Sequence, residues 1–240
     1  MTAEITVIEP LVEALVLFGS RSRGDYDENS DTDLAVFAHA TSQNDLVVIK
    51  ERILQSTTRE SPNLSVYSVS TAEMMASVGS LFLWHLKLEG KVLFKQSTWI
   101  DELLKNLPVY AASKASSDIR TFEDVLDDVK RSLDSGDATI EFEAATLFSV
   151  LRNLGMIIAT VSGNPSFGRL RPIHATRALM GYSFSLTDFE IETLFRAKMA
   201  YSRNALDSSL DLSRSWCQAV RSKLTDIAEF ARSLVNERIC

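Results

Sequence analysis

Apolar positions follow two regimes along the chain. In the N-terminal part they come as short runs bounded by polar residues. Ala14-Leu15-Val16-Leu17-Phe18, closed by Gly19, has the length and abrupt polar exit of a buried strand meeting a loop. Asp33-Leu34-Ala35-Val36-Phe37 has the same character. Leu46, Val47, Ile49, Ile53 and Leu54 recur near helical spacing, and after Pro62-Asn63 the residues 64–69 alternate as a strand does. Ser70-Thr71-Ala72-Glu73 reads as a capped helix start. Residues 81–88 continue with helical spacing as far as Gly90, and Val92-Leu93-Phe94 extends again. Strands and helices thus interleave through this part.

Beyond Leu107-Pro108 the period changes, because nearly every segment over 116–238 has helical spacing and few β-branched clusters. Breaks at Ser135-Gly136, Gly163-Asn164-Pro165 and Gly181-Tyr182-Ser183 divide it into helices near 118–133, 139–161, 187–206 and 211–238. The expected organisation is α+β: a small domain of strands and helices over residues 1–107, then an all-α helical bundle over 108–240.

Composition narrows the function. A 45% hydrophobic and 24% charged chain can bury a proper core. The net charge of -7 argues against nonspecific grip on long nucleic acid, which needs many Lys and Arg contacts to phosphate, while a short RNA end stays compatible. The only cysteines, Cys217 and Cys240, suit a reducing compartment better than a disulfide framework. No apolar run approaches the roughly 18 to 20 residues that span a bilayer, and Met-Thr-Ala-Glu-Ile lacks the basic flank of a signal peptide. The expectation is a cytoplasmic protein with no membrane partner; homo-oligomerisation stays open.

The stretch with a chemical logic runs between the first two strands: Gly19-Ser20-Arg21-Ser22-Arg23-Gly24, then Ser30-Asp31-Thr32-Asp33-Leu34. Gly19 has no side chain, so a phosphate can approach the backbone. The Ser20 hydroxyl and the amides of a following helical turn can donate to its oxygens. Arg21 and Arg23 add positive charge. Asp31 and Asp33 are one residue apart, so on an extended chain both carboxylates face one side, where hard oxygen ligands can share a metal. Each piece alone is an ordinary turn, cap or solvated acidic pair. Their combination between two apolar strands is what points to a site.

This combination resembles the signature of the nucleotidyltransferase superfamily typified by DNA polymerase beta. It is most similar to the minimal nucleotidyltransferase branch: Gly-Ser, Arg-Gly, then Ser-Asp-x-Asp-Leu, every position of which is present. The likeness covers residues 10–95, including 81–90, which resembles the helix following the catalytic strands in many of these proteins. It implies a mixed sheet flanked by helices and transfer of a nucleoside monophosphate from a triphosphate, ATP foremost, with release of pyrophosphate. The acceptor is a small molecule, a protein or an RNA end. It further implies magnesium on Asp31 and Asp33, with Gly19 and Ser20 on the triphosphate; Arg21, Arg23 and Ser30 are expected as further nucleotide-binding residues.

Active members of that superfamily usually carry a third carboxylate in an apolar-Asp-apolar setting on the next strand. The matching triplet here is Leu64-Ser65-Val66, and serine is a poor divalent-metal ligand and no carboxylate base. The nearest acids, Glu60 and Glu73, lie outside the strand. Either another acid completes the site, or the domain is a regulatory module that binds nucleotide with little or no turnover.

In the helical half, Arg169-Leu170-Arg171-Pro172-Ile173-His174 fits the Arg-x4-His spacing of HEPN-type RNases. Pro172 inside it and Gly168 before it favour a loop over a helix. Arg169, Arg171, His174 and Arg177 make residues 163–177 a charged segment, read either as a solvated face or as a loop toward the nucleotide. Arg152-Asn153 and Arg203-Asn204 are expected as buried hydrogen-bonding residues and His85 as a satisfied core histidine. Phe142, Phe148, Met156 and Phe189 are expected in the core.

Overall fold

The structure, a computed structural model of the 240-residue chain, describes residues 10–26, 30–56, 62–203 and 209–238. The chain divides into two compact units, Met1–Ala111 and Ala112–Cys240.

The first unit is built on a four-stranded mixed sheet. Its strands are β1 (Val12–Phe18), β2 (Asp33–Ala38), β3 (Asn63–Ser68) and β4 (Lys91–Lys95), in the spatial order β3-β2-β1-β4. β1 runs antiparallel to both β2 and β4, whereas β2 and β3 are parallel. The parallel pair requires a crossover, supplied by α2 (Gln43–Gln55). Both faces of the sheet are covered, which is why β1 and β2 read as continuous apolar runs. Leu15, Leu17, Leu34, Val36 and Leu64 pack on Ile49 and Ile53 of α2. Alternate positions Ala14, Val16, Ala35 and Phe37 pack with Ala72, Leu83, Leu86 and Ile100. These come from α3 (Val69–Ser77), α4 (Leu81–Glu89) and α5 (Trp99–Lys105).

Two features depart from the sequence reading. The cap of α3 is Ser68, whose hydroxyl accepts from the Thr71 amide; Ser70 lies inside the helix, its hydroxyl 2.9 Å from that of Ser68. α5 carried no periodic signal of its own. It is held by buried Ile100 and by Trp99, whose ring meets Phe37 edge-on and whose Nε1 donates to Glu73 at 3.2 Å.

The second unit is helical: α6 (Ala112–Ser135), α7 (Ile140–Val161), α8 (Arg171–Met180), α9 (Asp188–Ser202) and α10 (Arg214–Glu237), with a short 3-10 turn at Gly181–Ser183. α7 is its centre, packing against α6, α8, α9 and α10. By length and composition α7 could cross a membrane, unlike the sequence reading, but 72% of its most apolar window is buried inside the protein.

The loop expected around Pro172 is a correction. Residues 171–180 form a helix, because Pro172 falls in its first turn, where a missing N–H costs nothing. Arg169 precedes that helix and His174 is exposed on its first turn. Among the expected core residues, Phe148 is buried, Met156 is half-buried, and Phe142 and Phe189 are 44% and 74% exposed. Phe142 instead pairs with the Tyr201 ring at 5.4 Å. Arg152 is half-buried and donates to the carbonyls of Phe167 and Gly168, and Asn153 donates to Ser149. Arg203 is exposed; Asn204, Glu60 and Cys240 lie outside the described residues.

Candidate active site

The antiparallel register of β1 and β2 sets Phe18, the last residue of β1, opposite Asp33, the first of β2. The chain therefore leaves β1 at Gly19 directly beside the Asp33 carboxylate. Gly19 has φ +74°, and a Cβ placed on it would lie 2.3 Å from Asp33 Oδ2. Glycine is required there twice, once for the left-handed backbone and once to admit the carboxylate. The space that the sequence reading gave to a phosphate at Gly19 is lined by Asp33 itself.

The other oxygen of Asp33, Oδ1, accepts from Asn63 Nδ2 at 3.0 Å, and the Asn63 amide donates to the Thr32 carbonyl at 2.9 Å. Both bonds follow from the parallel register, which sets Asn63 opposite Asp33. Asp31 is exposed two residues upstream, between buried Ser30 and Thr32.

Gly19 opens the five-residue helix α1 (Gly19–Arg23). Ser20 is buried, and its carbonyl accepts from the amides of Gly24 and Asp25. Gly24, at φ +85°, ends the turn in a left-handed cap. Arg21 Nε donates to the Ser30 carbonyl at 3.0 Å, and its guanidinium lies 5.4 Å from the Tyr26 ring centre. Arg21 thus ties the Gly-Ser turn to the segment bearing the two aspartates.

Arg23 is differently engaged. Its side chain is only 10% exposed; Nη1 pairs with Glu89 Oε2 at 2.7 Å and Nε reaches both Asp25 oxygens at 3.1 Å. Burial works against the Arg23 charge, but the bonds to Glu89 and Asp25 outweigh it and hold the pKa above its ordinary value. Glu89 Oε2 also meets His85 Nε2 at 3.0 Å. Burial pushes the Glu89 carboxyl up, yet hydrogen bonds and charge from His85 and Arg23 prevail and keep it below the usual carboxylate range. The Ser22 hydroxyl donates to the Glu89 carbonyl. His85 is thus a buried histidine with its partner supplied one helical turn away.

On β3, Ser65 stands opposite Ala35, two residue pairs further into the sheet than the Asp33–Asn63 pair. On the same strand, burial pushes the Tyr67 phenol up, against a smaller lowering influence from Ser65. Among the described residues no group of three His, Cys, Asp or Glu side chains gathers to hold a metal. At the head of β2 the described carboxylates are those of Asp31 and Asp33. That set suits magnesium, which keeps several waters and is commonly bound by one or two carboxylates together with substrate phosphates.

Asn63, Ser22 and Glu89 were not singled out in the sequence. Asn63 becomes visible only once β2 and β3 are known to be parallel and in which register. Glu89 becomes visible only once the end of α4 is known to meet α1.

Residues 3–98 match the family model described as polymerase beta, nucleotidyltransferase. No curated protein matches the chain. Among solved structures, the spectinomycin adenyltransferase AAD(9) from Enterococcus faecialis, crystallised with ATP and spectinomycin, is 12% identical with a TM-score of 0.49. That alignment covers 90% of this chain and 93% of the other. A nucleotidyltransferase-like protein from Exiguobacterium sibiricum 255-15 is 10% identical with a TM-score of 0.35, over 96% of this chain and 70% of that one.

Proposed function

Because residues 3–98 match the polymerase beta nucleotidyltransferase model, we propose that the protein moves a nucleoside monophosphate from a magnesium-bound triphosphate, ATP foremost, onto an acceptor and releases pyrophosphate. The acceptor is a small molecule, a protein side chain or an RNA end. One observation carries this reading: the β1–β2 register brings the Gly19-Ser20 turn against the Asp33 carboxylate, with Asp31 exposed beside it.

In this reading Asp31 and Asp33 hold magnesium, which when bound neutralises charge on the phosphate oxygens and orients them for in-line displacement. Asn63 fixes Asp33 by occupying Oδ1, leaving Oδ2 toward the turn. The Ser20 hydroxyl donates to a phosphate oxygen. Arg21 and Ser30 hold the turn and the aspartate segment together through their mutual bond. Arg23 contributes through the turn, because its guanidinium is already paired with Asp25 and Glu89. Cys217 as a buried free thiol supports a cytoplasmic setting.

The second reading is a nucleotide-binding regulatory module. Ser65 favours it, since β3 carries no carboxylate to take the acceptor's proton. Incubation with each of the four triphosphates plus magnesium separates the two. Transfer predicts pyrophosphate release, with the label of an α-labelled triphosphate retained on an acceptor from RNA, lysate or the protein itself. Tight binding without release selects the regulatory module, and absence of binding rejects both.

A further inference from the structure

One stripe of α4 grips the candidate turn from both sides. Phe82, His85 and Glu89 stand at i, i+3 and i+7, so they share a helix face. The first two hold the residue before Gly19: the Phe18 ring meets Phe82 and His85 edge-on, each at 5.5 Å. The third holds the residues after Ser20. Glu89 takes Arg23 on its carboxylate and Ser22 on its carbonyl, contacts that close chain separations of 66 and 67 residues. His85 meets the same carboxylate oxygen and braces it from within α4.

The anchor is itself fixed. Gly90 follows Glu89 at once, and a Cβ there would lie 2.4 Å from the Leu86 carbonyl and 2.9 Å from a Val16 methyl, so the end of α4 is wedged against β1. By contrast α1 is a single turn, too short to persist as a helix without outside support. The hydrogen bonds between the end of α4 and α1 run through Glu89.

We infer that Glu89 is a positioning residue for the triphosphate: through Arg23 and Ser22 it holds the Gly19-Ser20 turn in register with Asp33, and it does so without touching substrate. This rests on the nucleotidyl-transfer reading for its ligand, but the turn itself can be measured without one. Arg23 is then a strut, and freeing it gains nothing for phosphate binding.

The test compares wild type, Glu89→Gln, Arg23→Gln and the double variant. Glutamine keeps the size of Glu89 and an acceptor oxygen while removing the charge. Titration with magnesium-ATP should show each single variant binding about tenfold more weakly, the order expected when a charge-assisted bond is lost. The double variant, in which two amides can bond each other, should recover most of the affinity. Where turnover is measurable, the loss should appear in KM for the triphosphate rather than in kcat. In the ligand-free protein, amide exchange over residues 20–25 should quicken in Glu89→Gln, because the Gly24 and Asp25 amides are bonded to the Ser20 carbonyl.

Unchanged or tighter ATP binding by Glu89→Gln overturns the inference, tighter binding meaning that Arg23 is a phosphate ligand restrained by Glu89. A double variant no better than Arg23→Gln overturns it as well. A wild type that binds no triphosphate defeats the functional reading, and with it the role of Glu89 toward ATP. Unchanged exchange over 20–25 in Glu89→Gln defeats the strut whatever the ligand.

Discussion

Gly19 and Asp33 must be read as a pair. The sequence marked Gly19 as the place where a phosphate nears the backbone, but the group nearest its absent Cβ is the Asp33 carboxylate. Gly19→Ala should therefore cost about 1–3 kcal/mol for the left-handed backbone, plus a clash that depends on Asp33. In urea denaturation, Gly19→Ala combined with Asp33→Ala should be less destabilising than the sum of the single changes. Strict additivity would mean that the carboxylate does not press on this position. At the other end of the sheet, buried Glu13 accepts from the Ser97 hydroxyl and meets His39 Nε2 at 3.0 Å. The Ser97 bond, aided by His39 and opposed by burial, holds its carboxyl below the ordinary value. A depressed folded pKa stabilises the protein above the unfolded value, about 4.3 for Glu, and that contribution fades as pH falls through the folded pKa. Unfolding free energy measured from pH 6 downward should thus fall below about pH 4.3 in wild type and change less steeply over that interval in Glu13→Gln.

Elements were legible where periodicity alone decides them. The runs at 14–18 and 33–37 and the helical spacing at 46–55 became β1, β2 and α2, because an apolar strand buried on both faces has few alternatives. What escaped depends on partners distant in sequence. α5 is fixed by Phe37 and Glu73 more than by any pattern of its own. The sequence around α8 reads as a loop because a proline inside a helix breaks it, whereas Pro172 occupies the first turn, where it does not, and its neighbour makes the same point. A Cβ on Gly155 of α7 would lie 2.9 Å from the Pro172 carbonyl oxygen, so that glycine lets α8 pack against α7. Gly155→Ala should gain about 1 kcal/mol in helix propensity yet lower the thermal midpoint, because the methyl meets backbone. A raised midpoint would show that α8 can move away at no cost. The candidate site divides in the same manner. Gly19, Ser20, Asp31 and Asp33 were readable as local spacing, whereas Asn63 and Glu89 required strand register and helix docking.

At the scale of the whole chain, the first unit contains the residues, 3–98, that match the polymerase beta nucleotidyltransferase model, and a helical unit with its own core around α7 follows. The proposed nucleotide chemistry rests on a small part of the first: one glycine turn, two aspartates, an asparagine that pins one of them, and the α4 stripe behind the turn. Central to it is the proposal that Asp31 and Asp33 bind magnesium together with a triphosphate. Calorimetric titration with ATP, with and without magnesium, for wild type and for Asp31→Asn combined with Asp33→Asn, tests that claim most directly. Wild type should bind ATP markedly more tightly with magnesium, and the double variant, still folded, should lose that magnesium-dependent gain. An equal magnesium-dependent gain in the double variant would contradict the assignment and place the metal elsewhere.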